Sequence, residues 1–261
     1  MYGWRGRIGL LAPTGNSVME PEFQRLAPEG VTTHTNRVAL KDVTPASLAE
    51  MEGDTVRSAV GIASVRVGVI AFGCTSGSFV GGDGYDQRLI KMMEDATGVA
   101  ATTTTSAVVK ALRSFGVERI ALATPYTDEV TQLEVKFLQA AGFEVTNWQG
   151  GGIVGVADIQ ECRPETSYRR AKAVDNERAE AVFISCTGFR TIEYIEMLEA
   201  DLGKPVVTSN QATFAECLRI LGVGEAAPGF GSLFVRVLGA GPASASDAAT
   251  LLEFDAARQS A

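Results

Sequence analysis

Residues 7–13, Arg-Ile-Gly-Leu-Leu-Ala-Pro, recur in similar form, with four of seven residues identical, as residues 119–125, Arg-Ile-Ala-Leu-Ala-Thr-Pro, 112 positions further along the chain. A second pair of segments keeps the same offset of 112: residues 69–75, Val-Ile-Ala-Phe-Gly-Cys-Thr, and residues 181–187, Ala-Val-Phe-Ile-Ser-Cys-Thr. Self-similarity at a fixed offset is the signature of an internal repeat. Two different segments that share one offset therefore indicate a duplicated half-domain.

Strand-length apolar runs alternate with amphipathic helical stretches in both halves, the pattern of parallel sheets covered by helices. The predicted strands are residues 7–12, 31–38, 67–72, 99–103, 119–124, 143–148, 181–185 and 205–208. Helices are predicted at residues 45–66, 85–96, 104–115, 164–179, 191–202 and 211–221, and a further helix is capped by Thr127 and ends at Gly142. We expect an α/β fold of two pseudo-symmetric flavodoxin-like lobes, each with a four-stranded parallel sheet flanked by helices.

The same pattern predicts the domain limits. Residues 1–116 form the first α/β lobe and residues 117–222 form the second. Residues 223–261 form a C-terminal tail with a turn-rich start and a terminal helix at residues 247–258. We expect this tail to pack back on the first lobe.

Composition excludes several classes of function. The net charge is −8 and no basic run is present, which disfavours a nucleic acid or an acidic membrane surface as partner. No window approaches the length of a membrane span, and the first residues do not form an export leader, so we expect a cytoplasmic protein. The four cysteines form no C-x-x-C pair and His34 is the only histidine, which disfavours a disulfide framework or a zinc site. The sequence leaves open whether the chain forms a homo-oligomer.

In open α/β sheets, ligands bind outside the carboxyl ends of the strands. Four such ends carry unusual chemistry: residues 13–17, 73–77, 125–127 and 186–188. Equivalent residues of a duplicated unit face each other across a pseudo-twofold axis. We therefore expect the cysteines of the repeat, at positions 74 and 186, to meet at one cleft.

The residues that follow the two cysteines suit an anion. Thr75 and Ser76 follow Cys74, and Thr187 and Gly188 follow Cys186, so hydroxyls and consecutive N–H groups can cradle carboxylate oxygens. These donors should also lower the thiol pKa values, since they favour the thiolate. A thiolate beside a bound carboxylate can transfer a proton at the adjacent carbon or attack an unsaturated carbon.

Phosphate-loop, dinucleotide and metal-binding motifs are absent from the sequence, so we expect no cofactor. A small carboxylate or dicarboxylate is the expected substrate.

Several of these segments resemble those of known enzymes. Residues 13–20, Pro-Thr-Gly-Asn-Ser-Val-Met-Glu, resemble the P-S-S-N-T-x-M-E segment of maleate isomerases. Residues 73–79, Gly-Cys-Thr-Ser-Gly-Ser-Phe, are closer to the G-T-S-x-S-F segment of arylmalonate decarboxylase. With further matches at residues 124–130, 185–188 and 229–234, the chain resembles the aspartate/glutamate racemase superfamily, in its maleate cis–trans isomerase and arylmalonate decarboxylase branch.

The resemblance implies roles for single residues. Cys74 matches the nucleophile of maleate isomerase, where arylmalonate decarboxylase has glycine, and Cys186 matches the cysteine that handles the proton in both enzymes. An asparagine expected after Trp148 is missing, and residues 152–157 instead resemble the decarboxylase, whose pocket is apolar there. The implied substrate-binding residues are Pro13, Thr14, Asn16, Thr75, Ser76, Tyr126, Val156, Thr187 and Gly188; Leu40 and Val43 are expected to line the pocket.

Three hypotheses follow. In the leading one the protein is a cofactor-independent isomerase of small carboxylates that uses Cys74 and Cys186. Either one cysteine adds to a double bond while the other delivers a proton, which allows rotation and elimination (cis–trans isomerisation), or the pair exchanges a proton across a stereocentre (racemisation). In the second it decarboxylates a substituted malonate, with Cys186 alone as proton donor. In the third it binds carboxylates without catalysis.

Overall fold

A computed structural model describes residues 2–239 of the chain, and two four-stranded parallel sheets form its centre. The first sheet contains β1 (Gly6–Pro13), β2 (Val31–Val38), β3 (Val69–Phe72) and β4 (Ala101–Thr103). The second contains β5 (Arg119–Ala123), β6 (Glu144–Gln149), β7 (Ala181–Ile184) and β8 (Val206–Thr208). The strand orders β2-β1-β3-β4 and β6-β5-β7-β8 are equivalent. The predicted α/β fold of two pseudo-symmetric halves with four-stranded parallel sheets is confirmed.

Helices cover both sheets. Those of the first half are α1 (Met19–Leu26), α2 (Pro45–Ala49), α3 (Met51–Ala63), α4 (Thr75–Phe79), α5 (Tyr85–Thr97) and α6 (Thr104–Ser114). Those that follow are α7 (Asp128–Ala140), α8 (Val156–Glu161), α9 (Pro164–Val174), α10 (Ile195–Leu202), α11 (Ser209–Ile220) and α12 (Leu233–Leu238), with a 3₁₀ turn at Ile192–Tyr194. None of the helices within residues 2–239 has the length and apolar character that a membrane crossing requires.

The strands that lead to the cysteines are central in their sheets. β3 lies between β1 and β4, β7 lies between β5 and β8, and every residue of β3 and β7 is buried. Strands covered on both faces consist of continuous apolar runs, which is why these two segments are among the clearest signals in the sequence. Cys74 and Cys186 follow the carboxyl ends of β3 and β7 at equivalent positions.

Two equivalent helices join the halves. α6 follows β4 directly and α11 follows β8 directly, and the two helices pack against each other. Lys110 of α6 forms an ion pair of 2.6 Å with Glu216 of α11. Thr213 Oγ1 donates a hydrogen bond of 3.2 Å to Thr104 Oγ1. This packing relates the two sheets and leaves their carboxyl edges on a common cleft.

Several predicted helices differ from the observed ones. The helix predicted at 45–66 is divided into α2 and α3 at Glu50, and the helix predicted at 164–179 ends at Val174 because Asp175 is extended. The helix predicted at 191–202 begins with the 3₁₀ turn. The short helices α1, α4, α8 and α12 were not predicted, since fewer than three turns carry little periodic signal. The cap at Thr127 is confirmed: its side chain accepts the Val130 N–H.

The domain limits at 116 and 222 stay predictions. In the described part of the tail, the Ala227 N–H donates to Leu26 O of the first half at 3.0 Å, and Gln211 of the second half donates to Phe230 O at 2.6 Å. Phe234 also packs edge-on against Phe214, with ring centroids 6.4 Å apart. The predicted terminal helix at residues 247–258 lies outside the described residues.

Candidate active site

The loops that follow β1, β3, β5 and β7 converge on one cavity between the two halves. Its empty space, counting the part that is open to solvent, is about 320 Å³. The lining residues are Pro13, Asn16, Leu40, Val43, Cys74, Thr75, Ser76, Tyr126, Val156, Ile159, Cys186, Thr187 and Gly188. The structure therefore brings both cysteines together with every predicted substrate-binding residue except Thr14.

Cys74 is the N-cap residue of α4, and its side chain is 3% exposed. Its Sγ accepts a hydrogen bond from the Gly77 N–H at 3.3 Å and lies 3.8 Å from Ser76 Oγ. A Cβ at Gly77 would lie 3.0 Å from this sulfur and 2.9 Å from Met51 Sδ. Glycine thus allows the helix N–H to approach the thiol closely.

Cys186 occupies an unusual backbone conformation. Its φ angle is +97°, a region that side-chain-bearing residues rarely adopt and that recurs at functional sites. Its N–H donates to Ser209 Oγ at 3.0 Å. The side chain is 8% exposed and contacts the hydroxyl of Tyr126.

Burial decides the acidity of both thiols. It raises the pKa of Cys74 to about 11, although hydrogen bonds from Gly77 and Ser76 lower it. Burial likewise raises the pKa of Cys186 to about 12, although hydrogen bonds from Tyr126 and Gly188 lower it. The expectation of lowered thiol pKa values is therefore wrong, because the loss of hydration outweighs the donors.

The raised pKa values predict slow alkylation. Because the thiolate is the reactive species, Cys74 at pH 8 should react with iodoacetamide at least about 100-fold more slowly than an exposed cysteine. Its rate should rise about tenfold per pH unit between pH 7 and 9, since its pKa lies above that range. Peptide mass mapping of alkylated protein measures each cysteine separately. Cys74 alkylation as fast as that of the urea-unfolded chain would contradict this.

Polar residues around the cysteines connect the two halves. Asn16 Nδ2 donates to Thr187 Oγ1 at 3.1 Å, and Thr187 Oγ1 donates to Gly73 O at 3.1 Å. Thr75 Oγ1 donates to Ser209 Oγ at 2.9 Å. A threonine hydroxyl has one hydrogen, so both threonines use theirs within the protein. The hydroxyls of Ser76 and Tyr126 and the Gly77 N–H of α4 instead face the two cysteine sulfurs, so a bound anion that reached them would compete with the thiols for these donors.

Tyr126 remains a donor across the physiological pH range. Its side chain is 1% exposed, and its pKa is raised well above the usual value by burial and by the neighbouring Cys186, Glu134 and Cys74. Its carbonyl accepts the Gly152 N–H at 2.9 Å, which fixes the loop after β5 against the loop after β6.

A buried carboxyl group lies next to Cys186. Glu134 of α7 is 1% exposed, and its Oε1 accepts a hydrogen bond from Ser185 Oγ at 2.6 Å. Burial raises the pKa of Glu134 to about 8, against the opposing effect of that hydrogen bond. The raised pKa favours the uncharged form of this group, whose negative charge would otherwise oppose a thiolate at Cys186.

One wall of the cavity is apolar. It is formed by Leu40, Val43, Val156 and Ile159. Leu40 and Val43 come from the first half, and the Val43 N–H donates to Val154 O of the second half at 3.0 Å. Predicted site residue Thr14 is exposed and lies outside the lining; its Oγ1 donates to Leu40 O at 3.1 Å. Direct binding of substrate by Thr14 stays a prediction, and its observed contact holds the apolar wall.

Sequence reasoning missed Ile159 and the residues that hold the cysteine loops. Ile159 lies on the unpredicted helix α8, which gives no strong sequence signal. Ser209 and Asn210 follow the edge strand β8 directly and could have been found, because they are polar residues at the carboxyl end of a parallel strand. Within residues 2–239, no group of three or more histidine, cysteine, aspartate or glutamate side chains is placed to hold a metal ion.

The family model described as arylmalonate decarboxylase matches residues 8–234. The chain is 30% identical over 240 residues to a maleate isomerase from Pseudomonas putida, covering 87% of this chain and 96% of the relative. It is 31% identical over 232 residues to the arylmalonate decarboxylase of Bordetella bronchiseptica, covering 87% and 95%.

The solved structures give the same result. A crystal structure of a maleate isomerase variant from Pseudomonas putida with maleate superimposes with a TM-score of 0.82 at 28% identity. The superposition covers 88% of this chain and 97% of that chain. The similarity therefore extends over both halves and the cavity between them.

Proposed function

The chain belongs to the arylmalonate decarboxylase family, and we propose that within this family it is a cofactor-independent cis–trans isomerase of small unsaturated dicarboxylates such as maleate. The observation that carries this proposal is that Cys74 and Cys186, one from each half, line the same cavity. Similarity to maleate isomerases over most of the chain supports it. A cytoplasmic location stays a prediction, and the oligomeric state stays open.

The two cysteines have different roles in this proposal. Cys74 is the nucleophile, because its sulfur caps the N-terminus of α4 and accepts the Gly77 N–H, an arrangement that favours the thiolate. Its negative charge raises the pKa of Cys186 further, so Cys186 keeps its proton when Cys74 is ionised. One thiolate and one thiol in the same cavity form a nucleophile and an acid.

The reaction then balances without any other reagent. The Cys74 thiolate forms a bond to one alkene carbon, and the electron pair of the double bond moves to the other alkene carbon. Cys186 gives its proton to that second carbon and becomes a thiolate. The central bond is now single and rotates. Cys186 takes a proton back, the double bond re-forms, and the bond to Cys74 sulfur breaks.

Neutral donors stabilise the charge that develops during this cycle. Negative charge spreads into the carboxylate attached to the second carbon, and preorganised donors in a cavity with little water lower the energy of such a state. Ser76, Tyr126 and the first-turn N–H groups of α4 are the donors available for this role. Their contribution should be largest in the transition state, when the charge is highest.

The test is a proton NMR assay with maleate in deuterated buffer. Conversion of the maleate alkene signal to that of fumarate, dependent on the enzyme, is the expected result. The assay also includes a chiral carboxylate, whose α-proton would be lost to solvent if the protein were a racemase. Absence of any conversion of maleate or an alkyl-substituted maleate would contradict the proposed isomerase.

A second candidate function is decarboxylation of a substituted malonate. The apolar wall formed by Leu40, Val43, Val156 and Ile159 favours it, because an aryl or alkyl substituent would be buried there. In this reaction Cys186 protonates the enediolate that remains after carbon dioxide leaves, and Cys74 has no chemical step. Release of carbon dioxide from an aryl- or alkylmalonate, unchanged in Cys74→Ala, would favour this candidate over the isomerase.

A further inference from the structure

The first two residues of α11 lie against the loop that carries Cys186. Ser209 and Asn210 are each 1% exposed. Ser209 Oγ accepts the Cys186 N–H at 3.0 Å, and Asn210 Nδ2 donates to Thr187 O at 3.1 Å. Two consecutive side chains thus hold backbone groups of two consecutive residues in the cysteine loop.

The same two side chains also reach the first half of the molecule. Ser209 Oγ accepts a hydrogen bond from Thr75 Oγ1 at 2.9 Å, directly after Cys74 in the chain. Asn210 Nδ2 donates to Glu22 Oε2 at 2.7 Å, and Glu22 Oε1 accepts the Thr191 N–H at 3.0 Å. Each residue therefore bridges the Cys186 loop to an element of the other half.

The backbone of Cys186 needs such support. A non-glycine residue with a φ of +97° is strained and keeps this conformation only when its surroundings hold it. Removing the Ser209 hydroxyl would leave the buried Cys186 N–H without that acceptor and remove one of these restraints. The Cys186 loop could then relax toward an ordinary conformation, which would turn the thiol away from its position in the cavity.

We propose that Ser209, supported by Asn210, is the positioning residue that holds Cys186 opposite Cys74 and sets the distance between the two reacting thiols. Ser209 does not line the cavity, so it acts through Cys186 and not on the substrate. The inference rests on the proposed isomerase function for its kinetic readout. A second readout, the chemical reactivity of Cys186, is independent of any substrate.

Ser209→Ala tests the kinetic part, with Ser58→Ala as matched control. Ser58 is also buried, and its hydroxyl donates to Arg37 O, away from the cysteines. With maleate as substrate, Ser209→Ala should lower kcat by about 10- to 100-fold while KM changes less than about threefold, since orientation and not binding is lost. Ser58→Ala should keep wild-type kcat.

The amount of covalent adduct on Cys74 during turnover distinguishes a misplaced Cys186 from a general loss of folded protein. Once the second carbon is protonated, the adduct on Cys74 breaks down only when Cys186 removes a proton. A misplaced Cys186 should therefore let the maleate adduct on Cys74 accumulate, which intact-protein mass spectrometry detects. Loss of folded protein alone would lower kcat without any adduct.

The substrate-independent test measures the rate at which iodoacetamide alkylates Cys186 in the absence of substrate. Relaxation of the loop should raise the alkylation rate of Cys186 at least about fivefold in Ser209→Ala, because a less restrained loop opens more often. Cys217, buried on α11, serves as internal reference in the same peptide map. Unchanged alkylation of Cys186 together with wild-type kcat would overturn the inference.

Two further outcomes remain decisive. If Ser209→Ala does not fold, Asn210→Ala tests the same loop, and wild-type kcat and Cys186 reactivity in that folded variant would overturn the inference. If the wild-type protein converts neither maleate nor a substituted maleate, the proposed function fails. In that case the alkylation comparison alone supports or overturns the role of Ser209.

Discussion

Cys74→Ser is expected to fold normally and to lose at least about 10³-fold in kcat for maleate isomerisation, as variants without the nucleophile of a covalent mechanism do. Serine is close to cysteine in size, so the cavity and its donors should persist. Its hydroxyl is a far weaker nucleophile than a thiolate, and no histidine is available to activate it, since His34 lies on β2 outside the cavity lining. Steady-state kinetics by fumarate absorbance or NMR measures the loss.

The control for this variant is Cys162→Ser. Cys162 follows α8, is half-buried and does not line the cavity. Its replacement should leave kcat and KM within about twofold of wild type, as expected for a surface change away from the site. Cys74→Ser that retains more than a tenth of the wild-type activity would refute the nucleophilic role of Cys74.

Cys186→Ser is expected to lose activity as severely, but to stop at a different stage. Without the Cys186 thiol, solvent can still protonate the adduct slowly, while its breakdown lacks the base that removes a proton. The protein should therefore gain the mass of one molecule of maleic acid, located on Cys74 by peptide mapping. The kcat loss should again be at least about 10³-fold.

The double variant Cys74→Ser with Cys186→Ser is the control for this adduct. It should gain no mass under the same conditions, because the only nucleophile in the cavity is absent. Modification of Cys162 or Cys217 in place of Cys74, or an unmodified Cys186→Ser protein that still isomerises maleate, would contradict the assigned order of steps.

The parts of the fold that sequence reasoning reaches are those determined by burial on both faces. β3 and β7 are continuous apolar runs because they are central strands, and β2 was predicted with its observed bounds, Val31–Val38. The helix α7 was predictable from its cap at Thr127 and its glycine at 142. Short helices next to the cavity, such as α4 and α8, were not, because tertiary contacts and not periodicity determine them.

The candidate site was predicted from the internal repeat and not from burial. The offset of 112 relates Cys74 to Cys186, and strand topology places both at carboxyl ends on one cleft. The sequence could not show that Thr75 and Thr187 use their hydroxyl hydrogens within the protein. It also could not show Ile159 in the lining, since that depends on how α8 packs.

The thiol pKa values also could not be predicted from the sequence. Donors beside Cys74 and Cys186 are visible in the sequence and favour the thiolate, but the extent of burial is not visible there. In the folded protein burial has the larger effect and raises both pKa values. We therefore expect the thiolate of Cys74 to form only as a small fraction at neutral pH.

The most direct test of the two-thiol account is a crystal structure of Cys186→Ser after soaking with maleate. The account predicts continuous electron density from Cys74 Sγ to one central carbon of a four-carbon diacid. The side chain at position 186 should lie on the side of the other central carbon, with the carboxylates against Ser76, Tyr126 and the start of α4. Intact maleate in the cavity with no bond to Cys74, or with the two central carbons turned away from position 186, would contradict it.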